Sequence, residues 1–181
     1  MARSDPITRK RRLFWGVVGT IVVSDAFTTI LAVDLLTPPY SPRAVLGDAL
    51  RFTLVYNPGA AFGLHLGPYS RWLFTGLSIL ALVLLSHLYR TTRAGDAVRT
   101  LALSLVCGGA FGNLVDRLKS GRGVVDFIDV GVGAVRWPTF NVADMAVSCG
   151  AVLLALLLWR EDEAAAAKLT APNGPDATVH G

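Results

Sequence analysis

Four apolar segments, each close to the length that crosses a lipid bilayer, constrain the fold of this chain more than any other feature. A helix needs roughly 20 predominantly apolar residues to cross a hydrocarbon core of about 30 Å. The segments cover residues 13–33, 72–89, 101–116 and 140–159. We therefore expect a membrane protein of the all-α class, a bundle of four transmembrane helices that forms a single domain over residues 1–160.

The composition supports this expectation. Of the 181 residues, 52% are hydrophobic and 17% are charged, and residues 100–115 include no charged side chain. A soluble domain of this length would distribute its charges along amphipathic faces. Here the basic residues gather beside the apolar segments, so the formal net charge of +4 does not indicate nucleic-acid binding. We expect no nucleic-acid partner.

The basic residues also predict an orientation, because the cytoplasmic flanks of membrane helices carry an excess of Lys and Arg. The flanks that should be cytoplasmic contain Arg3, Arg9, Lys10, Arg11, Arg12, Arg90, Arg93 and Arg99. Four spans then place both termini in the cytoplasm. The link between the third and fourth segments departs from the rule, which suggests a role for its cations there, such as contact with lipid headgroups. It contains Arg117, Lys119, Arg122 and Arg136.

Two links contain β-prone sequence and would lie outside the cytoplasm in this orientation. The run "RFTLVY" (51–56) alternates with period two and stops at "NPG". Residues 121–139 contain two short β-prone runs around a glycine-rich turn. We therefore expect a small extracytoplasmic β-rich cradle on the helical bundle. Residues 161–181 are polar and alanine-rich, and we expect a disordered cytoplasmic tail there.

Polar side chains converge where the third and fourth segments meet both β-prone links, near the extracytoplasmic surface of the membrane. An Asp at the centre of a membrane helix costs roughly 2.5–3.5 kcal/mol on insertion scales, so acids within or bordering a bilayer indicate function. The converging side chains are Asn57, Asn113, Asp116, Asp126, Asp129, Asn141 and Asp144.

Structural roles remain open for some of these residues. Asn141 could cap the fourth helix, which would place Asp144 at the third helical position, where its carboxylate reaches back to free amides and favours the positive end of the helix dipole. Asp116 and Arg117 could form an interfacial ion pair that ends the third helix. Neither role requires any chemistry.

The residue types restrict the chemistry that is possible. Asp126 and Asp129 would point to opposite faces of a strand over 124–129, so only one of them can join a given site, and periodicity does not decide which. The three histidines are scattered and no Ser/His/Asp or Cys/His set is apparent, so we expect neither a metal nor another cofactor. Two acids close together in a poorly solvated place share one proton. One carboxylate can then draw a proton from water while the other donates to a carbonyl, which hydrolyses a peptide bond.

Four blocks of the chain resemble one known family. They read "YNPGAAFG" (56–63), "GGAFGNLVDRL" (108–118), "GRGVVDFIDV" (121–130) and "FNVADMAVSCG" (140–150). In this order on a four-span chain they resemble the lipoprotein signal peptidases, also called signal peptidase II. The resemblance implies an intramembrane aspartyl endopeptidase of the bacterial inner membrane. Such an enzyme removes the signal peptide from diacylglyceryl-modified prolipoproteins, cutting before the lipidated cysteine. The expected partners are this substrate and membrane lipid, and we expect a monomer.

The resemblance also assigns residues. The catalytic pair falls on Asp126 of "VVDF" and Asp144 of "FNVAD", whereas Asp129 has no such role. One departure concerns Thr29, which stands where the family usually has a lysine after the acid of the first span. The residues that would support the site or bind substrate are Asp25, Asn57, Asn113, Asp116, Arg117 and Asn141.

Two other classes of function are alternatives. A small transporter or proton-relay subunit would use Asp25, Asp116 and Asp144 as a path through the membrane, and it predicts acids at several depths. A non-enzymatic scaffold would use its acids only to cap helices and to pair with Arg117. The scaffold predicts that Asp126 tolerates substitution.

Overall fold

Four long helices dominate the computed structural model, which describes residues 5–59 and 67–170. They are α1 (Pro6–Leu35), α2 (Ser70–Thr91), α3 (Ala97–Lys119) and α4 (Val142–Thr170). Each is long and apolar enough to cross a membrane. The predicted four-helix fold class is therefore confirmed, although each helix extends beyond its apolar segment on at least one side.

The carboxy-terminal tail is partly helical. α4 continues to Thr170, so residues 161–170 of the expected tail belong to this helix. The sequence "EDEAAAAKL" (161–169) consists almost entirely of strong helix formers, which explains why the helix continues past the apolar segment. Residues 171–181 of the predicted tail lie outside the described residues.

α3 is the central helix, and α1, α2 and α4 all pack on it. Glycines allow this close packing. A Cβ atom at Gly109 would lie 2.2 Å from the backbone oxygen of Ala143 in α4, and one at Gly108 would lie 3.0 Å from Cβ of Ile21 in α1. Large apolar side chains on the outer faces of the bundle are exposed, such as Val23 and Leu80. These faces are suited to contact with lipid.

A four-stranded antiparallel sheet covers one end of the bundle. Its strands are β1 (Arg43–Leu46), β2 (Leu50–Asn57), β3 (Val124–Val132) and β4 (Val135–Arg136), paired in sequence order. The expected small β-rich region is therefore present, with "RFTLVY" inside β2. β2 pairs with β3 so that Val55 lies opposite Asp126, after an irregularity that begins at Phe52.

The sheet is fixed to the bundle by an apolar cluster. Ala32 and Leu36, at the end of α1, pack with Leu54 of β2 and with Val125 and Phe127 of β3. This packing holds β3 over the end of the bundle where α3 ends and α4 begins, which we call the sheet end. At the opposite end, Lys10 Nζ donates to the backbone oxygens of Tyr89 (2.7 Å) and Thr92 (2.5 Å), where α2 ends.

Candidate active site

Asp144 lies in the first turn of α4, at the sheet end, and it makes contacts both within the start of α4 and with α3. Asn141 Oδ1 accepts from the Asp144 backbone amide at 2.8 Å, and the Asn141 backbone amide donates to Asp144 Oδ2 at 3.3 Å. This reciprocal pair is a capping box, as the structural alternative predicted. The other carboxylate oxygen, Oδ1, accepts from Asn113 Nδ2 of α3 at 2.7 Å. Capping therefore occupies only part of the carboxylate.

Asp126 lies on β3 and is almost completely buried, with 1% of its surface exposed. Its Oδ2 accepts from Asn57 Nδ2 at 3.0 Å, at the end of β2. Its Oδ1 accepts from Asn141 Nδ2, also at 3.0 Å. Periodicity left open which acid of β3 joins Asp144, and the structure brings Asp126 to it.

Asp129, the other acid of β3, has a different environment. Arg51 Nε donates to it at 3.0 Å, Arg136 Nε at 2.8 Å, and the hydroxyl of Thr53 at 3.1 Å. Burial alone would raise the pKa of Asp129, but the hydrogen bonds from Arg136, Arg51 and Thr53 outweigh it and hold the pKa below its ordinary value. Asp129 therefore stays ionised and stabilises the sheet.

Two asparagines connect Asp126 with Asp144. Asn141 Nδ2 donates to Asp126 and, at 3.1 Å, to Asn113 Oδ1, while Asn113 Nδ2 donates to Asp144. Asn141 is fully buried, and the backbone oxygen of Val125 lies 3.2 Å from the same nitrogen, so the two N–H groups of this amide are shared among three acceptors. The two carboxylates are thus held by one hydrogen-bonded network that spans β3, α3 and α4.

The surroundings favour a proton on Asp126. Burial and the nearby charge of Asp144 together raise the pKa of Asp126 from 3.8 to about 8, although the hydrogen bond from Asn57 acts in the opposite direction. Near neutral pH, Asp126 therefore holds a proton. One acid of the pair can donate a proton while the other can accept one.

A cavity of about 790 Å³ opens onto both acids. Its other polar lining groups include Asn57, Asn113 and Arg117. The rest of the wall is largely apolar, and Val55, Tyr56, Trp137, Pro138, Phe140, Met145 and Val147 contribute to it. A cavity with a few polar groups in an apolar wall is typical of a ligand site.

Arg117 provides the positive charge of the cavity. Its Nη1 donates to the backbone oxygen of Asn113 at 3.2 Å and to the hydroxyl of Ser78 in α2 at 3.4 Å. Its Nε is buried and has no hydrogen-bond partner among residues 5–59 and 67–170. The alternative of an ion pair between Asp116 and Arg117 is wrong, because no ion pair among the described residues joins these two side chains. Asp116 instead accepts from the Val125 backbone amide at 3.2 Å and so positions β3.

Asp25 supports the site from behind. It is buried in α1, and its Oδ1 accepts from the backbone amide of Ala143 in α4 at 2.9 Å. That amide is one of the first four of α4, which have no partner within the helix. Asp25 therefore fixes the residue next to Asp144. Thr29, one turn further along α1, is buried, and its hydroxyl has no partner among the described residues.

The structure brings the sequence-predicted residues together in two sets. Asn57, Asn113, Arg117, Asp126 and Asp144 line the cavity, whereas Asn141, Asp116 and Asp25 lie behind it and hold its walls. Sequence reasoning missed Ser78 as the partner of Arg117, although a hydroxyl inside an apolar segment is a usable signal. It also missed the wall formed by residues 137–140. Within residues 5–59 and 67–170, no group of three or more His, Cys, Asp or Glu side chains is arranged to hold a metal ion.

Comparisons with known proteins point to one family. The sequence model of the family described as "Signal peptidase (SPase) II" matches residues 17–160. The "Lipoprotein signal peptidase" of Rhodococcus jostii (strain RHA1) is 41% identical over 162 residues, which are 86% of this chain and 77% of that protein. The protein of the same name from Burkholderia mallei (strain SAVP1) is 42% identical over 141 residues, which are 77% of this chain and 82% of that protein.

Solved structures share the fold. A structure titled "Bacterial membrane enzyme structure by the in meso method at 2.3 A resolution" superposes with a TM-score of 0.75 at 24% identity, and covers 90% of this chain and 94% of its own. A second, with the same wording and a resolution of 1.9 Å, gives a TM-score of 0.70 at 28% identity, over 80% of this chain and 91% of its own.

Proposed function

The chain belongs to the signal peptidase II family, and from this premise we propose that Asp126 and Asp144 are the catalytic pair with which it cleaves prolipoproteins. Membership makes the protein a multi-pass bacterial membrane protease that processes lipoproteins. The transporter alternative is not supported. The single observation that carries the proposed pair is that both carboxylates face one cavity and both accept hydrogen bonds from Asn141, Asp126 from its side-chain amide and Asp144 from its backbone amide.

In the proposed mechanism, Asp126 and Asp144 hold one proton between them. The ionised carboxylate takes a proton from a water molecule, whose oxygen attacks the scissile carbonyl, and the protonated carboxyl donates its proton to the carbonyl oxygen. The tetrahedral intermediate then collapses with transfer of a proton to the leaving amine. Because water is the nucleophile, no covalent acyl-enzyme forms.

The remaining cavity residues have positioning roles in this proposal. Arg117 places a cation beside the acids, and its buried Nε remains able to donate a hydrogen bond to a substrate carbonyl. Asn57 and Asn141 each donate to Asp126 and fix the direction of its carboxyl group. Asn113 does the same for Asp144. These hydrogen bonds set the geometry before substrate arrives, as efficient catalysis requires.

We further propose that the protein lies in the bacterial inner membrane with both termini in the cytoplasm. The positive charges at Arg9, Lys10, Arg11 and Arg12, at the end opposite the sheet, support this orientation. The cavity then lies near the outer leaflet, where a diacylglyceryl-modified substrate keeps its acyl chains in lipid. A monomer suffices, because one chain provides both acids and the network that connects them.

The test is cleavage of a purified diacylglyceryl-modified prolipoprotein by the wild type and by three variants. Asp126→Asn and Asp144→Asn should each lose turnover by roughly 10⁴-fold or more, because each removes an acid–base group. Asp129→Asn is the matched control, since it lies on the same strand but outside the cavity. It should keep its turnover per folded molecule. A cleaving Asp126→Asn or Asp144→Asn protein would remove that residue from the pair.

Membership in a protease family does not support the scaffold alternative, and the same experiment tests it directly. A scaffold would tolerate Asp126→Asn, and the wild type would cut no substrate. Thermal unfolding of each variant in detergent, measured beside cleavage, separates a loss of chemistry from a loss of folding.

A further inference from the structure

Three cationic residues lie near Ser120 at the sheet end, where α3 ends. Arg71, in the first turn of α2, donates from Nη1 to the Ser120 backbone oxygen at 3.2 Å. Lys119 is the last residue of α3, directly before Ser120. The backbone amide of Arg122 donates to the Ser120 hydroxyl at 3.1 Å. We call Arg71, Lys119 and Arg122 the rim cations.

The rim cations are not neutralised by ion pairs. Of the other basic residues that depart from the positive-inside rule, Arg136 pairs with Asp129, and Arg117 belongs to the cavity. No ion pair among the described residues includes a rim cation. The segment 60–66, which lies outside the described residues, contains no acidic residue. The three rim cations therefore form no ion pair within residues 5–59 and 67–170, although Lys119 lies near enough to Asp116, three residues before it in α3, to interact with its charge.

Aromatic rings lie beside two of these cations. The Arg71 guanidinium lies 4.5 Å from the ring centroid of Trp72, and the ring of Trp72 is largely exposed. The Arg122 guanidinium lies 3.8 Å from the ring centroid of Tyr56. Exposed Trp at the end of a membrane-spanning helix is typical of the headgroup region. This places the rim cations at the depth of lipid headgroups.

One guanidinium still has an unused donor. Arg71 Nε is buried and has no hydrogen-bond partner among the described residues, although its Nη1 is held by Ser120. A guanidinium recognises phosphate by presenting a planar fork of N–H donors. An oxyanion beside Arg71 would give this nitrogen the partner that the described protein groups do not supply.

We propose that Arg71, Lys119 and Arg122 bind the phosphate group of an anionic phospholipid, with Trp72 packed against the glycerol and upper acyl-chain region. The bound molecule is a bilayer lipid and not the lipid of the substrate, because a diacylglyceryl group on a cysteine carries no phosphate. Tyr56 lies between Arg122 and the catalytic cavity, so this lipid would lie beside one wall of the cavity.

The experiment uses Trp72 as a local reporter in the full chain. Trp15, Trp137 and Trp159 are replaced by Phe, and the fluorescence of Trp72 is measured in neutral detergent. Phosphatidylglycerol or phosphatidylcholine, brominated on the acyl chain near the headgroup, is then titrated. Brominated phosphatidylglycerol should quench Trp72 at much lower concentration than brominated phosphatidylcholine.

The rim cations are then removed in the same background as Arg71→Gln, Lys119→Gln and Arg122→Gln together. Each cation near an anionic lipid contributes a factor of roughly five to affinity, so the triple variant should need roughly a hundredfold more phosphatidylglycerol. Arg71→Lys with Arg122→Lys is the control that keeps the charge, and it should keep most of the preference. An unchanged melting temperature shows that the variants are folded.

Three outcomes would overturn the proposal. If both lipids quench the fluorescence of Trp72 equally when all three rim cations are present, no anion is recognised. A triple Gln variant that still prefers phosphatidylglycerol would show that the recognition lies elsewhere. If inorganic phosphate or glycerophosphoglycerol displaces the brominated lipid at comparable concentration, the site takes free phosphate, and the lipid assignment is wrong. None of these readings depends on peptidase activity.

Discussion

Asn141 donates a hydrogen bond to Asp126 at 3.0 Å, and this contact joins the sheet to the start of α4. The same side chain accepts from the Asp144 backbone amide through Oδ1. One amide group therefore has two separable duties: its nitrogen orients one acid, and its oxygen caps the helix that carries the other. A variant can remove the first duty and keep the second.

Asn141→Ser should separate these duties. The serine hydroxyl can still cap α4 by accepting from the Asp144 amide, but it is too short to donate to Asp126. We expect kcat to fall on the order of a hundredfold, as when a positioned donor is removed from an active site. Some stability is lost as well, because the oxygens of Asn113 and Val125 also lose Nδ2 as their donor. Asn141→Ala should lose kcat equally and should be less stable than Asn141→Ser by about 1 kcal/mol, because the cap is gone. Equal kcat in Asn141→Ser and wild type would contradict the orienting role.

The sequence predicts much of this site, because its strongest signals are local. The four spans follow from apolar length, and the cap of Asn141 on Asp144 follows from a spacing of three residues. Asp116 and Arg117 do not form an ion pair because adjacent residues on a helix do not face each other. The contact of Asp25 with Ala143 joins residues 118 positions apart, and no local pattern indicates such a partner.

The pH dependence of stability should report on Asp126. The pKa of Asp126 is about 8 in the folded protein, whereas its ordinary value is 3.8, so the folded state binds this proton more tightly. The contribution of Asp126 to stability is therefore fully present below a pH of about 3.8 and is lost as the pH rises through about 8. The melting temperature of the wild type should therefore fall as the pH rises from 3.8 to about 8. The comparison is with Asp126→Asn, whose side chain has no such proton to lose.

The rate of cleavage should also fall at high pH. Since the proposed mechanism needs one proton on the pair, the turnover of the wild type should decline as the pH rises through about 8. Parallel melting curves for the wild type and Asp126→Asn across this range would show that Asp126 is already ionised at neutral pH.

Asp25 should act on catalysis only through α4. Asp25→Leu leaves the buried Ala143 amide without its acceptor, which costs about 1–3 kcal/mol, and it frees the first turn of α4 to move. We expect a lower melting temperature and a lower kcat. Asp25→Asn keeps an oxygen in place of Oδ1 and should restore most of both quantities. If Asp25→Asn is as inactive as Asp25→Leu, the charge of Asp25 matters in its own right, and the positioning role is wrong.

Gly109 allows α3 to approach α4 closely. This approach sets the distance between Asn113 and Asp144. A methyl group at Gly109 would meet the Ala143 backbone oxygen at 2.2 Å, which α4 can relieve only by moving away. Overpacking of this kind costs about 1–3 kcal/mol. We expect Gly109→Ala to lower both the melting temperature and the turnover number.

Gly76→Ala on α2 is the matched control, because a methyl group there meets nothing within 4 Å. It should leave turnover unchanged and stabilise the helix slightly. Wild-type turnover in Gly109→Ala would show that the site tolerates a wider separation of α3 and α4 than the hydrogen bond from Asn113 to Asp144 implies.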